Sequence, residues 1–139
     1  MRDENCIFCK IANGEILSAT VYEDEMFRVI LDLGPATDGH ALILPKEHFA
    51  DVCRLDEAYG AGVLPLAAKI GQAMKRGLGC DGFNLVQNNG EAAGQTVHHF
   101  HMHIIPRYAG GPKGIAAWEP RTADSEKLAE LAEKIRTSI

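Results

Sequence analysis

The chain has 139 residues, of which 46% are hydrophobic and 24% are charged, a composition typical of one globular domain with a hydrophobic core. Its formal net charge of -5 argues against general binding to a nucleic acid backbone, which requires a basic surface. The sequence has no apolar run long enough to span a membrane and opens with polar residues rather than a signal peptide. We therefore expect a cytoplasmic protein with reduced cysteines and with no membrane or nucleic acid partner.

A Cys-x-x-Cys pair, Cys6 and Cys9, stands near the start of the chain. Such a pair is either a redox dithiol or half of a metal site. The redox interpretation requires a preceding strand in a βαβ unit, and this position leaves no room for one. Half of a zinc site needs two further ligands, and histidines are better candidates than Cys53 and Cys80, which are isolated and resemble packed thiols.

The next elements are predicted from apolar periodicity and turn residues. A short helix, Phe8–Ala12, ends at Asn13-Gly14. Alternating apolar residues bounded by turn residues predict four strands, at Ser18–Glu23, Met26–Asp32, His40–Pro45 and Phe83–Asn88. Asp56 can cap a long helix that runs to about Leu78, and an amphipathic helix is predicted over Asp124–Ile135.

Three histidines at alternate positions mark the last strand, residues 99–105. Side chains two residues apart share one face of a strand, so His99, His101 and His103 line one face and the apolar residues between them can pack into the core. A strand face that only contacts water gains nothing from three imidazoles, because other polar side chains serve equally well there. The pattern therefore predicts either metal ligation or nucleophilic and acid–base catalysis.

Hairpin-like connections between about five strands predict a largely antiparallel sheet. We expect an α+β domain in which the long helix and the short N-terminal helix pack on one face of the sheet, with an additional C-terminal helix. The remaining histidines near this sheet, His40 and His48, bracket the strand His40–Pro45 and its exit. If that strand lies near the histidine strand, one compact site can use most of the histidines.

The histidine segment resembles the signature of the histidine triad (HIT) family, and the Cys-x-x-Cys pair makes the chain similar to the Hint-like, bacterial branch of that family. Further family motifs occur at Ile7-Phe8 with Lys10-Ile11, Asp32 with Pro35 and His40, Leu44-Pro45-Lys46 with His48, Asn88 with Gly90, and Gly94-Gln95-Thr96-Val97. The resemblance implies a single HIT domain over residues 1–139, with a core at 1–110 and a C-terminal extension with a helix at 111–139. It also implies a homodimer.

The resemblance further implies a nucleotide hydrolase or nucleotidyl transferase that acts at the α-phosphate of nucleoside phosphoramidates or related nucleotidyl compounds. His101 corresponds to the nucleophile, which forms a covalent nucleotidyl-histidine that water then hydrolyses. His103 corresponds to the residue that contacts the phosphate and helps protonate the leaving group, His40 to a supporting histidine, and His99 completes the catalytic set. The implied purine nucleotide site consists of Asp32 for the ribose, Asn88, Gln95 and Thr96 for the phosphate, and Ile7, Phe8, Ile11 and Leu33 for the base. No organic cofactor is implied.

Branches of the family with Cys-x-x-Cys, and the related galactose-1-phosphate uridylyltransferases, bind zinc through the two thiolates, the histidine after the Pro-Lys turn and the first triad histidine. The corresponding residues here are Cys6, Cys9, His48 and His99. A closed Cys₂His₂ set is typical of a structural zinc site, which implies one zinc ion per chain. An unmetallated pair of reduced thiols is the alternative. His98 receives no role, and Trp118 with Glu119-Pro120 only loosely resembles the family's C-terminal motif.

Other functions stay open from the sequence. The same chemistry can serve a dinucleoside polyphosphate hydrolase. A zinc-stabilised nucleotide-binding or partner-binding module with little turnover is a second alternative. A catalytic zinc hydrolase with His99, His101 and His103 as ligands is a third, but it leaves the Cys-x-x-Cys pair unexplained.

Overall fold

The computed structural model describes residues 1–112, 114 and 120–139. Within these residues the helices are α1 (Ile7–Ala12), α2 (Glu57–Leu78) and α3 (Ser125–Arg136), and the strands are β1 (Thr20–Glu23), β2 (Phe27–Leu31), β3 (Ala41–Pro45), β4 (Gly82–Val86) and β5 (Met102–Arg107). Short 3₁₀ turns occur at Val52–Arg54 and Glu91–Ala93. No helix in this part of the chain has the length and apolar character needed to cross a membrane. Trp118 and Glu119 of the loosely matching C-terminal motif lie outside the described residues.

The strands form one antiparallel sheet in the order β1-β2-β3-β5-β4. This arrangement confirms the α+β class and the five-stranded antiparallel sheet. Strand β3 pairs directly with β5, with Leu42 opposite His103. The pairing brings His40, the residue before β3, next to the histidine segment, which was the condition for one compact site.

Alternate residues of the central strands pack into two different cores. On one face Val29 and Ile43 join the core that α2 covers, whereas on the other face Ile30 and Leu42 join a smaller core that α1 covers. The expectation that both helices lie on one face is therefore wrong. Its physical cause is that β3 is apolar at every position, so its sequence does not indicate which face each helix covers.

The histidine strand begins and ends later than predicted. Strand β5 starts at Met102, and the preceding Phe100 instead donates its backbone N–H to the carbonyl of Phe49 at 2.6 Å. Pro106, which follows the predicted end at residue 105, lies inside β5, opposite Phe83 of β4. Pairing of β5 with β3 ends at Ile104, so the missing N–H of Pro106 costs no ladder bond on that side.

Helix α2 begins and ends where its sequence indicated. The carboxylate of Asp56 accepts a hydrogen bond from the N–H of Ala58, and Gly79 ends the helix in the left-handed conformation at φ 69°. Helix α3 is capped by Asp124 and has no buried residue.

Candidate functional site

Two groups of ionisable side chains lie side by side where the chain enters β5. The Cys/His cluster consists of Cys6, Cys9, His48 and His99, whose ligand atoms all lie within 4.8 Å of one another. The histidine cluster consists of Asp32, His40, His101 and His103. In this second cluster the ligand atoms of Asp32, His40 and His103 lie within 4.8 Å of one another, and the rings of His101 and His103 are 5.1 Å apart.

Three chain segments supply the Cys/His cluster. Cys6 is the N-cap of α1 and Cys9 lies one turn further, so the short helix sets the spacing of the two thiols. His48 follows β3, and its backbone N–H donates to the carbonyl of Met1 at 3.0 Å. Because His99 lies three residues before β5, this cluster ties the N-terminus to the segment that carries the histidines.

The donor atoms of the Cys/His cluster have the spacing of a tetrahedral metal site. His99 Nδ1 lies 3.4 Å from Cys6 Sγ and 3.5 Å from Cys9 Sγ, and His48 Nδ1 lies 3.5 Å from Cys9 Sγ. Zinc–sulfur bonds of about 2.3 Å and zinc–nitrogen bonds of about 2.0 Å at tetrahedral angles place S and N about 3.5 Å apart. The residues present therefore fit a four-coordinate ion of this size.

The protonation of His99 also suits a metal ligand. Its Nε2 lies 3.0 Å from the carbonyl of Pro45, and a carbonyl can only accept, so Nε2 carries the proton and the lone pair of Nδ1 points toward the thiols. The ring is fully buried, and burial lowers the pKa of His99 to about 4. Burial raises the pKa of the Cys9 thiol, and a bound divalent cation supplies the charge that stabilises a thiolate.

His101 has the opposite ring orientation. Its Nδ1 lies 2.7 Å from the carbonyl of His99, so Nδ1 carries the proton and Nε2 carries a free lone pair. Nε2 of His101 has no hydrogen-bond partner among the described residues. Every fully buried side-chain N or O atom in those residues does have one, so Nε2 is not fully buried and is accessible. Burial lowers the pKa of His101, while the hydrogen bond to the His99 carbonyl and the charge of Asp32 oppose this effect, so the ring is neutral at pH 7.

His40 and His103 form a close pair beside His101. His40 Nε2 lies 2.8 Å from His103 Nδ1 and 3.6 Å from the Oδ2 atom of Asp32. Burial, followed by the charges of His101 and His40, lowers the pKa of His103 to about 4, and burial also lowers the pKa of His40. The cluster therefore contains three neutral imidazoles next to one carboxylate at pH 7.

The phosphate-binding residues predicted from the sequence occupy different environments. The side-chain amide of Gln95 is buried and donates both N–H groups to the carbonyls of Ala50 and Val97, at 2.7 and 3.0 Å, while its oxygen accepts from the N–H of Gly90 at 2.8 Å. Gln95 thus has no free N–H group for a phosphate and instead holds the loop together. Thr96 is exposed on this loop, and Asn88 is partly buried.

The predicted base-binding residues divide into two pairs. Phe8 and Ile11 pack against the small core under α1, and the ring of Phe8 meets that of His101 edge-on at 4.9 Å. Ile7 and Leu33 are 51% and 102% exposed. Of these four residues, only Phe8 and Ile11 therefore form an apolar wall in the protein as it stands, and that wall lies next to His101.

Sequence reasoning missed a backbone group. The N–H of Ala36 donates to Nδ1 of His40 at 2.9 Å. A main-chain amide leaves no signal in residue types, although Pro35 and Gly39 indicated the loop that carries it. His98, to which the sequence assigned no role, is exposed and lies 3.9 Å from the carboxylate of Glu91.

Comparisons with known proteins agree with this geometry. The pattern of the HIT domain family matches residues 13–110. Adenosine 5'-monophosphoramidase HNT1 of Saccharomyces cerevisiae is 36% identical over 137 residues, which cover 99% of this chain and 84% of the yeast protein. The crystal structure of a HIT family protein from Bacillus anthracis has a TM-score of 0.87 at 42% identity and covers 98% of both chains. A Zn-bound histidine triad family protein from Mycobacterium smegmatis has a TM-score of 0.74 at 36% identity, covering 94% of this chain and 97% of its own.

Proposed function

This chain belongs to the HIT domain family, and from that membership and the site geometry we propose that it is a nucleotide hydrolase or nucleotidyl transferase. It acts at the α-phosphate of nucleoside phosphoramidates or related nucleotidyl compounds. The observation that carries the proposal is the accessible Nε2 lone pair of His101, fixed by the bond between His101 Nδ1 and the His99 carbonyl. The yeast relative, whose name is adenosine 5'-monophosphoramidase, supports the substrate class.

In the first step, Nε2 of His101 attacks the α-phosphorus of the substrate. A phosphorus–nitrogen bond to His101 forms, the bond from phosphorus to the leaving nitrogen breaks, and the leaving nitrogen is protonated as it departs. His103 donates a hydrogen bond through its Nε2–H group and assists this protonation, an effect worth roughly 10²- to 10⁴-fold in rate. The chain then carries a nucleotidyl-histidine.

In the second step, water attacks the same phosphorus. The bond between phosphorus and Nε2 breaks, its electron pair returns to His101, and the water loses the proton that balances the one taken up in the first step. A nucleoside monophosphate leaves. Transfer to an acceptor other than water follows the same course and gives the transferase reaction.

The remaining roles follow the positions of the side chains. Asp32 accepts from the ribose hydroxyls, Thr96 and Asn88 lie at the phosphate, and Phe8 with Ile11 provides the apolar wall for the purine. Ile7 and Leu33 are free to close over the base because their side chains are exposed. Gln95 supports the phosphate loop through its bonds to the backbone of that loop.

We also propose that the Cys/His cluster binds one zinc ion per chain. The interatomic spacings and the lone pair of His99 Nδ1 support zinc, as does the existence of a Zn-bound relative. Zinc supplies a crosslink between α1 and the segment before β5, and a closed four-ligand set leaves it no position for substrate. The role is therefore structural.

A homodimer in the cytoplasm completes the proposal. Strands β1 and β4 are the edges of the sheet, and edge strands present unpaired backbone groups that a second copy can bind. Light scattering on the full chain tests the dimer, and a monomer at micromolar concentration would contradict it.

Trapping of the covalent intermediate tests the catalytic proposal. Mixing the protein with adenosine 5'-phosphoramidate, followed by acid-free rapid quench and mass spectrometry, should show one adenylyl group on His101. Turnover without any adduct on this residue would contradict the proposal. The matched control is His98→Ala, which alters an exposed neighbouring histidine and should give the same adduct.

Two alternatives are separated by products and binding. Faster cleavage of diadenosine polyphosphates than of the phosphoramidate would make the chain a dinucleoside polyphosphate hydrolase. Tight nucleotide binding with no turnover of any nucleotidyl compound would make it a zinc-stabilised binding module. The catalytic zinc hydrolase lacks support, because His99, His101 and His103 do not form a metal-binding group among the described residues.

A further inference from the structure

The loop between β2 and β3 supplies a hydrogen bond that the histidine cluster needs. Its member Ala36 directs a backbone N–H at Nδ1 of His40 at 2.9 Å. A backbone amide can only donate, so His40 Nδ1 must accept, and in the neutral ring the proton then sits on Nε2. Asp32, whose Oδ2 lies 3.6 Å from this Nε2, favours the same placement because its negative charge attracts the N–H.

The tautomer of His40 determines that of its neighbour. His40 Nε2–H has His103 Nδ1 as its acceptor at 2.8 Å. A neutral His103 that accepts at Nδ1 carries its own proton on Nε2, which has no partner among the described residues. We propose that the Ala36 N–H is a positioning group that fixes the tautomers of His40 and, through it, of His103, so that His103 presents Nε2–H to the substrate.

The loop holds Ala36 in place by contacts outside the cluster. Thr37 donates its hydroxyl to the carbonyl of Pro106 at 2.7 Å, and Tyr108 donates to the carbonyl of Asp38 at 3.0 Å. Gly39 has φ +93°, and a Cβ atom there would lie 2.4 Å from Leu78. The two hydrogen bonds anchor the loop to β5 and to the residue after it, and Gly39 passes close to Leu78 of α2, so these contacts hold the part of the loop that carries the Ala36 amide.

The arrangement has a chemical consequence. A doubly protonated His103 would donate from Nδ1 and would need His40 Nε2 as its acceptor. The proton of His40 would then have to move to Nδ1, where it would face the N–H of Ala36. The loop amide therefore opposes a cationic His103 and keeps this residue as a neutral donor. The consequence for turnover rests on the proposed function, whereas the tautomers themselves can be measured without any substrate.

Long-range ¹H–¹⁵N spectra of the histidine rings test the inference, because protonated and unprotonated ring nitrogens have separate shifts. Spectra of His40→Gln and His103→Gln assign the signals. The wild-type chain at pH 7 should show a protonated Nε2 and an unprotonated Nδ1 on both residues. A protonated Nδ1 on either residue, or averaged shifts from two tautomers, would overturn the inference even if the enzyme turns over normally.

Two pairs of variants separate the amide from the loop. Ala36→Pro removes the N–H and Ala36→Gly keeps it, so only the proline variant should show mixed tautomers. Its kcat should fall by roughly 10-fold or more, the size of effect seen when outer-shell partners of metal-ligating histidines are removed. Thr37→Val and Thr37→Ser, which lose and keep the anchor to Pro106, give the same comparison if the proline variant fails to fold. Unchanged tautomers in folded Ala36→Pro would overturn the inference.

Discussion

The Cys/His cluster and the histidine cluster use the same side chain in opposite ways. His99 is bonded to a backbone carbonyl through Nε2, so its free nitrogen, Nδ1, points toward two thiols. His101, two residues later, is bonded to a carbonyl through Nδ1, so its free nitrogen, Nε2, is accessible. In each ring, one main-chain acceptor decides which nitrogen does the chemistry.

The difference shows how one short segment can serve a closed site and an open one. In the Cys/His cluster the donor atoms face one another and can all be satisfied by a single ion. In the histidine cluster His40 donates to His103 and His101 donates to the His99 carbonyl, while Nε2 of His101 and Nε2 of His103 have no partner among the described residues. We therefore expect changes in the first cluster to affect folding and changes in the second to affect turnover.

The largest expected effect is on turnover, from His101→Ala. Loss of the nucleophile should lower kcat by at least about 10³-fold, since covalent catalysis has no other nucleophile at this position. Bound zinc and the melting temperature should change little, because His101 is not a ligand of the Cys/His cluster. Steady-state kinetics, metal analysis and thermal unfolding measure the three quantities. A variant that keeps the wild-type rate would remove the functional distinction between the clusters.

The complementary change is Cys9→Ser, which removes a buried ligand of the Cys/His cluster. A structural metal contributes folding free energy directly. We therefore expect the variant to lose its zinc and its free energy of unfolding to fall by about 3 kcal/mol or more, which lowers Tm by about 10 °C. Metal analysis and differential scanning calorimetry check this. Cys53→Ser, which alters an exposed cysteine outside the cluster, is the matched control and should keep zinc and Tm. Equal Tm values for the two variants would argue against a structural metal.

Acid should destabilise the fold through the histidine cluster. Burial lowers the pKa of His103 to about 4, whereas an unfolded chain has the ordinary value of 6.5. Between these values the unfolded state binds more protons, so the stability that is fully present above pH 6.5 is lost as the pH falls toward 4. Urea unfolding of wild type and His103→Gln at pH 7, 6 and 5 measures this, because both proteins share any acid release of zinc. We expect the steeper loss in the wild type, and parallel curves would show that His103 does not contribute.

The smallest effect is expected from His98→Ala. This histidine is exposed, and both side chains of its contact with Glu91 at 3.9 Å are solvated. Both kcat and zinc content should stay within about twofold of the wild type, and stability within about 0.5 kcal/mol. A large loss of kcat, zinc content or stability would show that His98 belongs functionally to one of the two clusters.

Much of the architecture was predictable because it depends on local patterns. Asp56 and Gly79 mark the ends of α2, and alternating apolar residues predicted the hairpin of β1 and β2. The spacing of Cys6 and Cys9 indicated half of a metal site, and the resemblance to the HIT family implied His48 and His99 as the other half; the four side chains do lie together. The face that α1 covers was not predictable, because a strand buried on both sides carries no alternation.

Residue types by themselves determined which groups can bind a metal, attack phosphorus or carry a proton. Only the tertiary structure decided which nitrogen of each imidazole is free, because the Pro45 and His99 carbonyls and the Ala36 amide choose it. It likewise turned Gln95 from an expected phosphate ligand into a support for its loop. The physical reason is that main-chain donors and acceptors are the same in every residue, so their effect depends on where folding places them.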